Sequence, residues 1–234
     1  MGRRQPPRYE QGDYMIKACI FDLDGTILDT LESVAKAGNH MLTELGFPAQ
    51  PVADYRYYCG DGANKLVEKT LIKVGGYTRE NYETGCLLNR KFLKEDPSYK
   101  VRPYDGITKN IMILKESGVK CAVFSNKPDA AAIEVVESVF GKGFFDCIRG
   151  QKKGCPLKPE PDGALAIARE LSVRPEECLY VGDTWTDMQT GNNAGMVTVG
   201  VLWGFRDRKE LEDNGAWYII EHPKDLVELY LNGN

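Results

Sequence analysis

The chain has 234 residues, of which 42% are hydrophobic and 27% are charged, and its formal net charge is −4. This length and composition are typical of a globular protein with one large or two modest domains. The small negative charge provides no basic field for nucleic acid, and no apolar run approaches the roughly 20 residues that cross a bilayer. We therefore expect neither nucleic acid nor a membrane as a partner.

The seven cysteines are scattered along the chain and include no CxxC pair. Several lie inside apolar runs, where a free cysteine behaves as a small hydrophobic residue. The pattern predicts a reducing, cytoplasmic compartment and neither a disulfide framework nor a zinc site.

Residues 1–14 are polar and contain prolines and arginines, without the apolar core of a signal peptide. We expect this segment to be a disordered leader or tag that precedes the folded chain.

The first predicted strand is the apolar run from Ala18 to Phe21, and a polar cluster follows it immediately. That cluster contains Asp22, Asp24 and the turn-forming Gly25. Ligands of open parallel sheets bind beyond the carboxyl ends of the strands, so the two acids stand where chemistry is expected.

The next stretch carries three helical patterns and no strand-like segment. Apolar residues recur at helical spacing over residues 31–45, 63–72 and 79–93, and glycines or prolines separate the three runs. We predict a small helical cap domain at residues 29–101, inserted into a core domain made of residues 15–28 and 102–234. The two connections are expected near residues 28–30 and 97–103.

Beyond residue 103, strand-like and helical patterns alternate. Strands are predicted at residues 119–124, 144–148, 179–181, 197–201 and 218–220, and helices at 105–118, 129–140, 162–171 and 186–194. Such alternation implies crossover connections and a doubly wound parallel sheet, an α/β Rossmann-like core with helices on both faces.

Three of these strands end in a polar cluster: Asp22 with Asp24, Ser125 with Asn126, and Asp183 with Asp187. Right-handed crossovers bring the carboxyl ends of parallel strands to one edge, so the clusters are expected to converge. Converging carboxylates repel one another unless a cation lies among them. Oxygen ligands favour a hard cation, and Mg²⁺ is usual where a phosphate completes the coordination.

Four segments together resemble the motifs of the haloacid dehalogenase superfamily of phosphotransferases. They are Asp22-Leu23-Asp24-Gly25-Thr26, Ser125 after its strand, Lys158 in Lys158-Pro159-Glu160-Pro161, and Gly182-Asp183-Thr184-Trp185-Thr186-Asp187. Their order and spacing match over nearly the whole chain from Met15. The helical insertion resembles the subclass with a helical cap, and within it the chain is most similar to phosphoglycolate phosphatases.

The resemblance implies a catalytic role for each of the first two acids. Asp22 is expected to be the nucleophile that forms an aspartyl-phosphate, which divides one difficult step into two easier ones. Asp24 is expected to protonate the leaving oxygen and then to deprotonate the hydrolytic water.

The resemblance also implies the ligands of a phosphate and of Mg²⁺. Those expected to hold the phosphoryl group are Thr26, Ser125, Asn126 and Lys158. Those expected to hold Mg²⁺ are Asp22, Asp24 through its main-chain carbonyl, Asp183 and Asp187. An equally weighted interpretation of Asp187 is that it only caps the helix that follows.

The segment Gly60-Asp61-Gly62, with Lys65 shortly after it, falls on the cap loop that selects substrate in the related proteins. Its alternative interpretation is a simple turn at the start of a helix. Trp203-Gly204-Phe205 is assigned to packing in preference to a loop that faces the substrate.

These features predict a Mg²⁺-dependent phosphatase, a monomer or homodimer, acting on a small phosphorylated metabolite, with 2-phosphoglycolate the best single choice. Asp24 argues against the dehalogenase branch and the phosphonate-cleaving branch of the superfamily, because both lack this acid. Lys65 and Lys69 weakly favour the phosphonate-cleaving branch. A sugar-phosphate mutase keeps both acids and remains an alternative. A third hypothesis is a non-catalytic protein that binds a phosphorylated ligand.

Overall fold

A six-stranded parallel sheet forms the centre of the protein. The computed structural model describes residues 15–233, and the predicted leader at residues 1–14 lies outside them. The strands are β1 (Ala18–Phe21), β2 (Leu28–Asp29), β3 (Arg102–Pro103), β4 (Lys120–Pro128), β5 (Cys147–Gln151), β6 (Cys178–Gly182), β7 (Val197–Val201) and β8 (Tyr218–Ile220). The sheet has the order β5-β4-β1-β6-β7-β8, and β2 pairs with β3 in a separate ribbon.

Helices cover both faces of the sheet and fill the interval between β2 and β3. They are α1 (Leu31–Glu44), α2 (Tyr55–Tyr58), α3 (Ala63–Lys73), α4 (Arg79–Glu95), α5 (Ile107–Glu116), α6 (Asp129–Phe140), α7 (Asp162–Glu170), α8 (Trp185–Asn193), α9 (Arg208–Asp213) and α10 (Lys224–Gly233). The predicted parallel α/β core is therefore confirmed. No helix in residues 15–233 combines the length and the apolar character that a membrane span requires.

Strand β1 lies in the middle of the sheet because both of its faces are apolar. Cys19 and Phe21 belong to the larger buried cluster, on the face covered by α5 and α6. Ala18 and Ile20 belong to the cluster on the opposite face, with residues of α7. A strand buried on both faces has a continuous apolar sequence, as the strands of parallel sheets do.

The register of β1 places its last residue beside β4 and β6, and β4 continues five residues further, to Pro128. Phe21 lies beside Val123 of β4 and Val181 of β6, and all three strands run parallel. The residues that follow these positions therefore emerge at the same edge of the sheet.

The structure differs from the predicted elements at the edge strand. The strand expected at residues 144–148 forms instead at Cys147–Gln151. The rings of Phe144 and Phe145 pack against Phe140 of α6, at centroid distances of 5.1 and 5.4 Å, so these residues belong to the packing that precedes the strand. Aromatic residues favour both strands and such clusters, and the sequence pattern does not separate the two.

Helices α1 to α4 form what we call the helical segment (residues 31–95). Its own apolar cluster includes Met41 and Leu42 of α1 with Val67 and Leu71 of α3. Ribbon β2–β3 is antiparallel and joins the two chain connections that lead to the segment. The sequence predicted these connections as separate linkers; their pairing was not predicted.

Candidate active site

Three buried aspartates meet at the edge of the sheet that β1 and β6 share. Asp22 follows β1, Asp183 follows β6, and Asp187 lies on the first turn of α8. One carboxylate oxygen from each lies within 4.8 Å of the other two. Side chains separated by more than 150 positions thus form a single acidic cluster, of the kind that holds a cation.

Lys158 provides the positive charge of this cluster. Its Nζ lies 2.7 Å from Asp187 Oδ1 and 2.8 Å from Asp22 Oδ1, and its side chain is buried. Burial by itself lowers the pKa of a lysine, but Asp187 and Asp22 outweigh it and raise the Lys158 pKa well above its usual value. The ammonium therefore remains charged.

Asp22 Oδ1 lies 2.8 Å from the ammonium of Lys158. Burial, followed by the charge of Asp187, raises the Asp22 pKa well above its usual value. A bound cation suits this site, because its charge stabilises the ionised carboxylate.

Asp183 is fixed by residues from two distant loops. Its Oδ1 accepts a hydrogen bond from Thr26 Oγ1 at 2.8 Å, and its Oδ2 accepts one from the Phe205 backbone N–H at 2.8 Å. Burial and then the charge of Asp187 raise its pKa to about 7. Thr26, predicted to hold phosphate, thus uses its hydroxyl on Asp183 in this structure.

Two glycines permit this close packing around Asp183. Gly25 has φ +90°, and a Cβ there or at Gly204 would overlap the Asp183 side chain. The indole N–H of Trp203 donates to the Thr26 carbonyl at 2.9 Å. The sequence assigned the loop at residues 203–205 to packing. In the structure the loop also positions Asp183, a candidate metal ligand.

Asp187 caps a helix and also belongs to the acidic cluster. Its Oδ2 accepts hydrogen bonds from the Thr184 backbone N–H at 3.0 Å and from the Thr184 hydroxyl at 2.7 Å, which caps α8. Its Oδ1 faces Lys158. Capping therefore orients the same carboxylate that completes the acidic cluster.

Asp24 turns away from the acidic cluster and pairs with Lys127. The Lys127 Nζ lies 3.0 and 3.3 Å from the two carboxylate oxygens of Asp24. Sequence reasoning did not assign a role to Lys127. The available signal was its place directly after Ser125 and Asn126, at the end of a strand beside β1.

A cavity of about 60 Å³ opens between this edge and the helical segment. Its lining includes Asp22, Asp24, Ser125, Asn126, Lys127, Lys158, Gly60 and Gly62. Asn126 links the two sides, since its Nδ2 donates to the Gly60 carbonyl at 3.0 Å and its Oδ1 accepts from the Lys158 N–H at 2.8 Å.

The remaining residues of the predicted cap loop lie outside this lining. Asp61 forms an ion pair with Lys69, and Lys65 pairs with Glu68 at 2.6 Å. Only the glycines of the loop therefore border the cavity.

Two arginines join the helical segment to the loop beside Asp183. Arg56 Nη2 donates to the Gly204 carbonyl at 2.7 Å. In the other direction, Arg206 donates to the carbonyls of Arg56 and Cys59, the latter at 2.9 Å. Sequence reasoning gave neither arginine a role, because no motif contains them.

Comparisons with known proteins agree with this arrangement. The family model described as haloacid dehalogenase-like hydrolase matches residues 19–201. A phosphoglycolate phosphatase of Aquifex aeolicus is 33% identical over 217 residues, which cover 93% of this chain and 98% of the relative. A phosphoglycolate phosphatase of Neisseria meningitidis is 30% identical and covers 93% of both chains.

A solved structure from Lactobacillus delbrueckii subsp. bulgaricus, whose phosphoglycolate phosphatase activity is inferred, matches with a TM-score of 0.88. It is 31% identical in sequence, over 92% of this chain and 98% of the other. The resemblance therefore extends from the local motifs to the whole architecture.

Proposed function

Because the chain belongs to the haloacid dehalogenase-like hydrolase family, we propose that it hydrolyses the phosphate ester of a small metabolite, with 2-phosphoglycolate the expected substrate. The observation that carries the proposal is the meeting of Asp22, Asp183, Asp187 and Lys158 at one edge of the sheet. The relatives named phosphoglycolate phosphatase support the choice of substrate.

In the first step, an oxygen of Asp22 attacks phosphorus and the bond from phosphorus to the leaving oxygen breaks. Asp24, which borders the same cavity, gives that oxygen a proton. Lys158 and Ser125 hold the phosphoryl oxygens. In the second step, water attacks the aspartyl-phosphate, Asp24 takes its proton, and free phosphate leaves as Asp22 is regenerated.

We further propose that Asp22, Asp183 and Asp187, with the main-chain carbonyl of Asp24, hold Mg²⁺. When bound, the ion supplies positive charge that offsets repulsion between the attacking carboxylate and the phosphate. The three converging carboxylates support this assignment.

The same proposal assigns the helical segment to a cap domain with bounds near residues 29–101, and places the protein in the cytoplasm as a monomer or homodimer.

All seven cysteines are free. Cys19 and Cys121, which are aligned on adjacent strands, are buried thiols.

The nucleophile assignment predicts that Asp22→Asn reduces hydrolysis of 2-phosphoglycolate and p-nitrophenyl phosphate to background. The amide is a poor nucleophile, yet the fold should persist because a buried charge is removed. Phosphate release with Mg²⁺ measures the effect, and circular dichroism checks the fold. Asp213→Asn, at an exposed site on α9, is the matched control and should keep full activity.

Substantial turnover by Asp22→Asn would refute the nucleophile assignment, and activity that survives EDTA would refute the metal assignment. An isomerised sugar phosphate in place of free phosphate would identify a mutase.

A further inference from the structure

The side chain of Asn126 joins three parts of the chain that are distant in sequence. The residue lies in β4, directly after Ser125, and is 7% exposed. Its Nδ2 donates to the Gly60 carbonyl at 3.0 Å and to the Lys158 carbonyl at 3.3 Å, and its Oδ1 accepts from the Lys158 N–H at 2.8 Å. The amide thus contacts the helical segment on one side and the main chain of Lys158 on the other.

These contacts occupy both N–H groups of the Asn126 amide and determine its orientation. A side-chain amide donates only from nitrogen and accepts only at oxygen. The two carbonyls require a donor and the Lys158 N–H requires an acceptor, so the opposite orientation would lose all three hydrogen bonds. Asn126 was predicted to hold the phosphoryl group, but in this structure its N–H groups serve main-chain carbonyls.

The contact with Lys158 holds that residue by both of its main-chain hydrogen-bonding groups. The ammonium of Lys158 must lie between two acids, Asp22 at 2.8 Å and Asp187 at 2.7 Å. Its position depends on where the flexible side chain leaves the backbone. Because misplacing a reacting group by about 1 Å can cost about 10²-fold in rate, this anchoring bears directly on turnover.

The Gly60 carbonyl belongs to a loop that is held to the helical segment by its own contacts. Lys69 of α3 donates to the Tyr57 carbonyl at 3.2 Å and forms an ion pair with Asp61, so it holds the loop on either side of Gly60. The loop therefore moves together with α3. The hydrogen bond from Asn126 to Gly60 forms when the segment lies against the core and breaks when the segment moves away.

We propose that Asn126 is a positioning residue that couples closure of the helical segment to the placement of Lys158. The closed segment presents the Gly60 carbonyl, which fixes the amide, and the amide fixes the main chain from which the Lys158 ammonium reaches Asp22. Such coupling is reciprocal, so an anion bound beside Lys158 favours the closed segment as much as closure favours the anion. This inference rests on the proposed phosphatase function, to which it adds a residue that acts through Lys158.

The test uses inorganic phosphate with Mg²⁺ as the probe and amide hydrogen exchange, followed by mass spectrometry, as the readout. In the wild-type protein, saturating phosphate should slow exchange in residues 57–73 by at least about fivefold, because it stabilises the closed segment. In Asn126→Ala this protection should fall below about twofold, and phosphate should still bind within about fivefold of the wild-type affinity. The kcat for 2-phosphoglycolate should decrease by about tenfold or more, with KM changed by less than about threefold.

Asn192→Ala is the matched control. Asn192 also donates to two main-chain carbonyls and accepts a hydrogen bond, from the Trp217 indole, but all of these contacts lie within the core. The control should keep the wild-type protection and kcat. Asn126→Asp is a second test variant, because it retains an acceptor for the Lys158 N–H but has no N–H for Gly60, and it should lose the protection as well.

Unchanged protection in Asn126→Ala, no protection in the wild-type protein, or an equal loss in Asn192→Ala would each overturn the coupling. A fall in phosphate affinity of more than about tenfold, with full protection at saturation, would identify Asn126 as a direct phosphate ligand and would also overturn it. Circular dichroism checks the fold, and if Asn126→Ala does not fold, Asn126→Asp decides in the same assay. The exchange measurement needs no turnover, so failure to release phosphate from any ester would refute the phosphatase proposal separately.

Discussion

At the scale of single residues, the charge balance of the site depends on one buried lysine among three buried aspartates. Lys158 contacts Asp187 and Asp22, whereas Asp183 pairs with no lysine within residues 15–233 and is held by neutral donors from Thr26 and Phe205. Burial and then the charge of Asp187 raise the pKa of Asp183 to about 7, and the hydrogen bonds from Phe205 and Thr26 offset this only in part.

This pKa predicts a pH dependence of stability without metal, and a stabilisation by Mg²⁺ that increases with pH. The Asp183 pKa is about 7 in the fold, against about 3.9 in the unfolded chain. A raised pKa stabilises the fold at low pH, and this contribution is lost as pH rises through about 7. In EDTA, Tm should therefore fall between pH 5 and pH 8, and Mg²⁺ should raise Tm more at pH 8.

Differential scanning fluorimetry of the wild-type protein and of Asp183→Asn measures this dependence. The variant cannot ionise at this position, so its Tm in EDTA should fall less over the same range. Identical slopes for the two proteins would exclude Asp183 as the titrating group.

Asp24 offers a second test at this scale. Asp24→Asn should lower kcat/KM for 2-phosphoglycolate by roughly 10²–10⁴-fold, the usual contribution of a general acid–base. The loss should be smaller for p-nitrophenyl phosphate, whose leaving group needs less protonation. Steady-state kinetics on both substrates measures the difference, and equal losses would argue against proton donation to the leaving oxygen.

At the scale of secondary-structure elements, the helical segment depends on a few polar contacts with the core beside the site. Arg206 is the main one, because its buried guanidinium donates to two carbonyls of the segment and pairs with Glu210 at 3.1 Å. Arg56 donates in return to the Gly204 carbonyl, next to the residue that holds Asp183. The contacts that hold the helical segment against the core therefore lie next to the residues that position Asp183 in the acidic cluster.

Arg206→Ala should lower the free energy of unfolding by about 2–3 kcal/mol, because it removes charge-assisted hydrogen bonds and leaves two carbonyls unpaired. It should also increase amide exchange in residues 31–95. Arg208→Ala is the matched control, since Arg208 is half exposed and pairs only with surface acids. Its effect should stay within about 0.5 kcal/mol.

Urea denaturation followed by circular dichroism measures both variants. Equal effects for Arg206→Ala and Arg208→Ala would mean that the buried contacts contribute no more than surface ion pairs.

At the scale of the whole molecule, the cavity that contains Asp22 lies between the core and the helical segment. The paired connections β2 and β3 are the two chain crossings between them. If the segment acts as the proposed cap, it opens to admit substrate and closes to exclude water.

A reversible crosslink across the cavity tests this movement. A Cβ at Gly60 would lie 3.7 Å from the Thr184 Cβ, within the usual range of a disulfide of about 3.5–4.5 Å. Gly60→Cys combined with Thr184→Cys should lose most of its turnover when oxidised and recover it on reduction. The strain of cysteine at the Gly60 φ of +111° is present in both states, so their difference reports on the crosslink.

Phosphate release in the oxidised and reduced states is the measurement, with each single-cysteine variant as a control. Undiminished turnover of the oxidised double variant would exclude gating by the segment.

Much of the site's location was determined by local sequence. Asp22 and Ser125 directly follow apolar runs, and Asp183 follows one after a single glycine. Parallel strands carry such residues toward the carboxyl edge of the sheet, although β4 itself continues beyond Ser125 to Pro128. The handedness of the crossovers then brings the three ends together. For the same reason, the alternation of patterns was sufficient to predict the parallel sheet.

The partners of these residues were decided by tertiary structure alone. The Lys127 contact with Asp24 and the Arg206 contact with Cys59 each join elements that are distant in sequence. Hydrophobic periodicity reports which face of an element is buried. It carries no information about which polar atom lies opposite, because that depends on the packing distance and angle between elements that meet only in the folded chain.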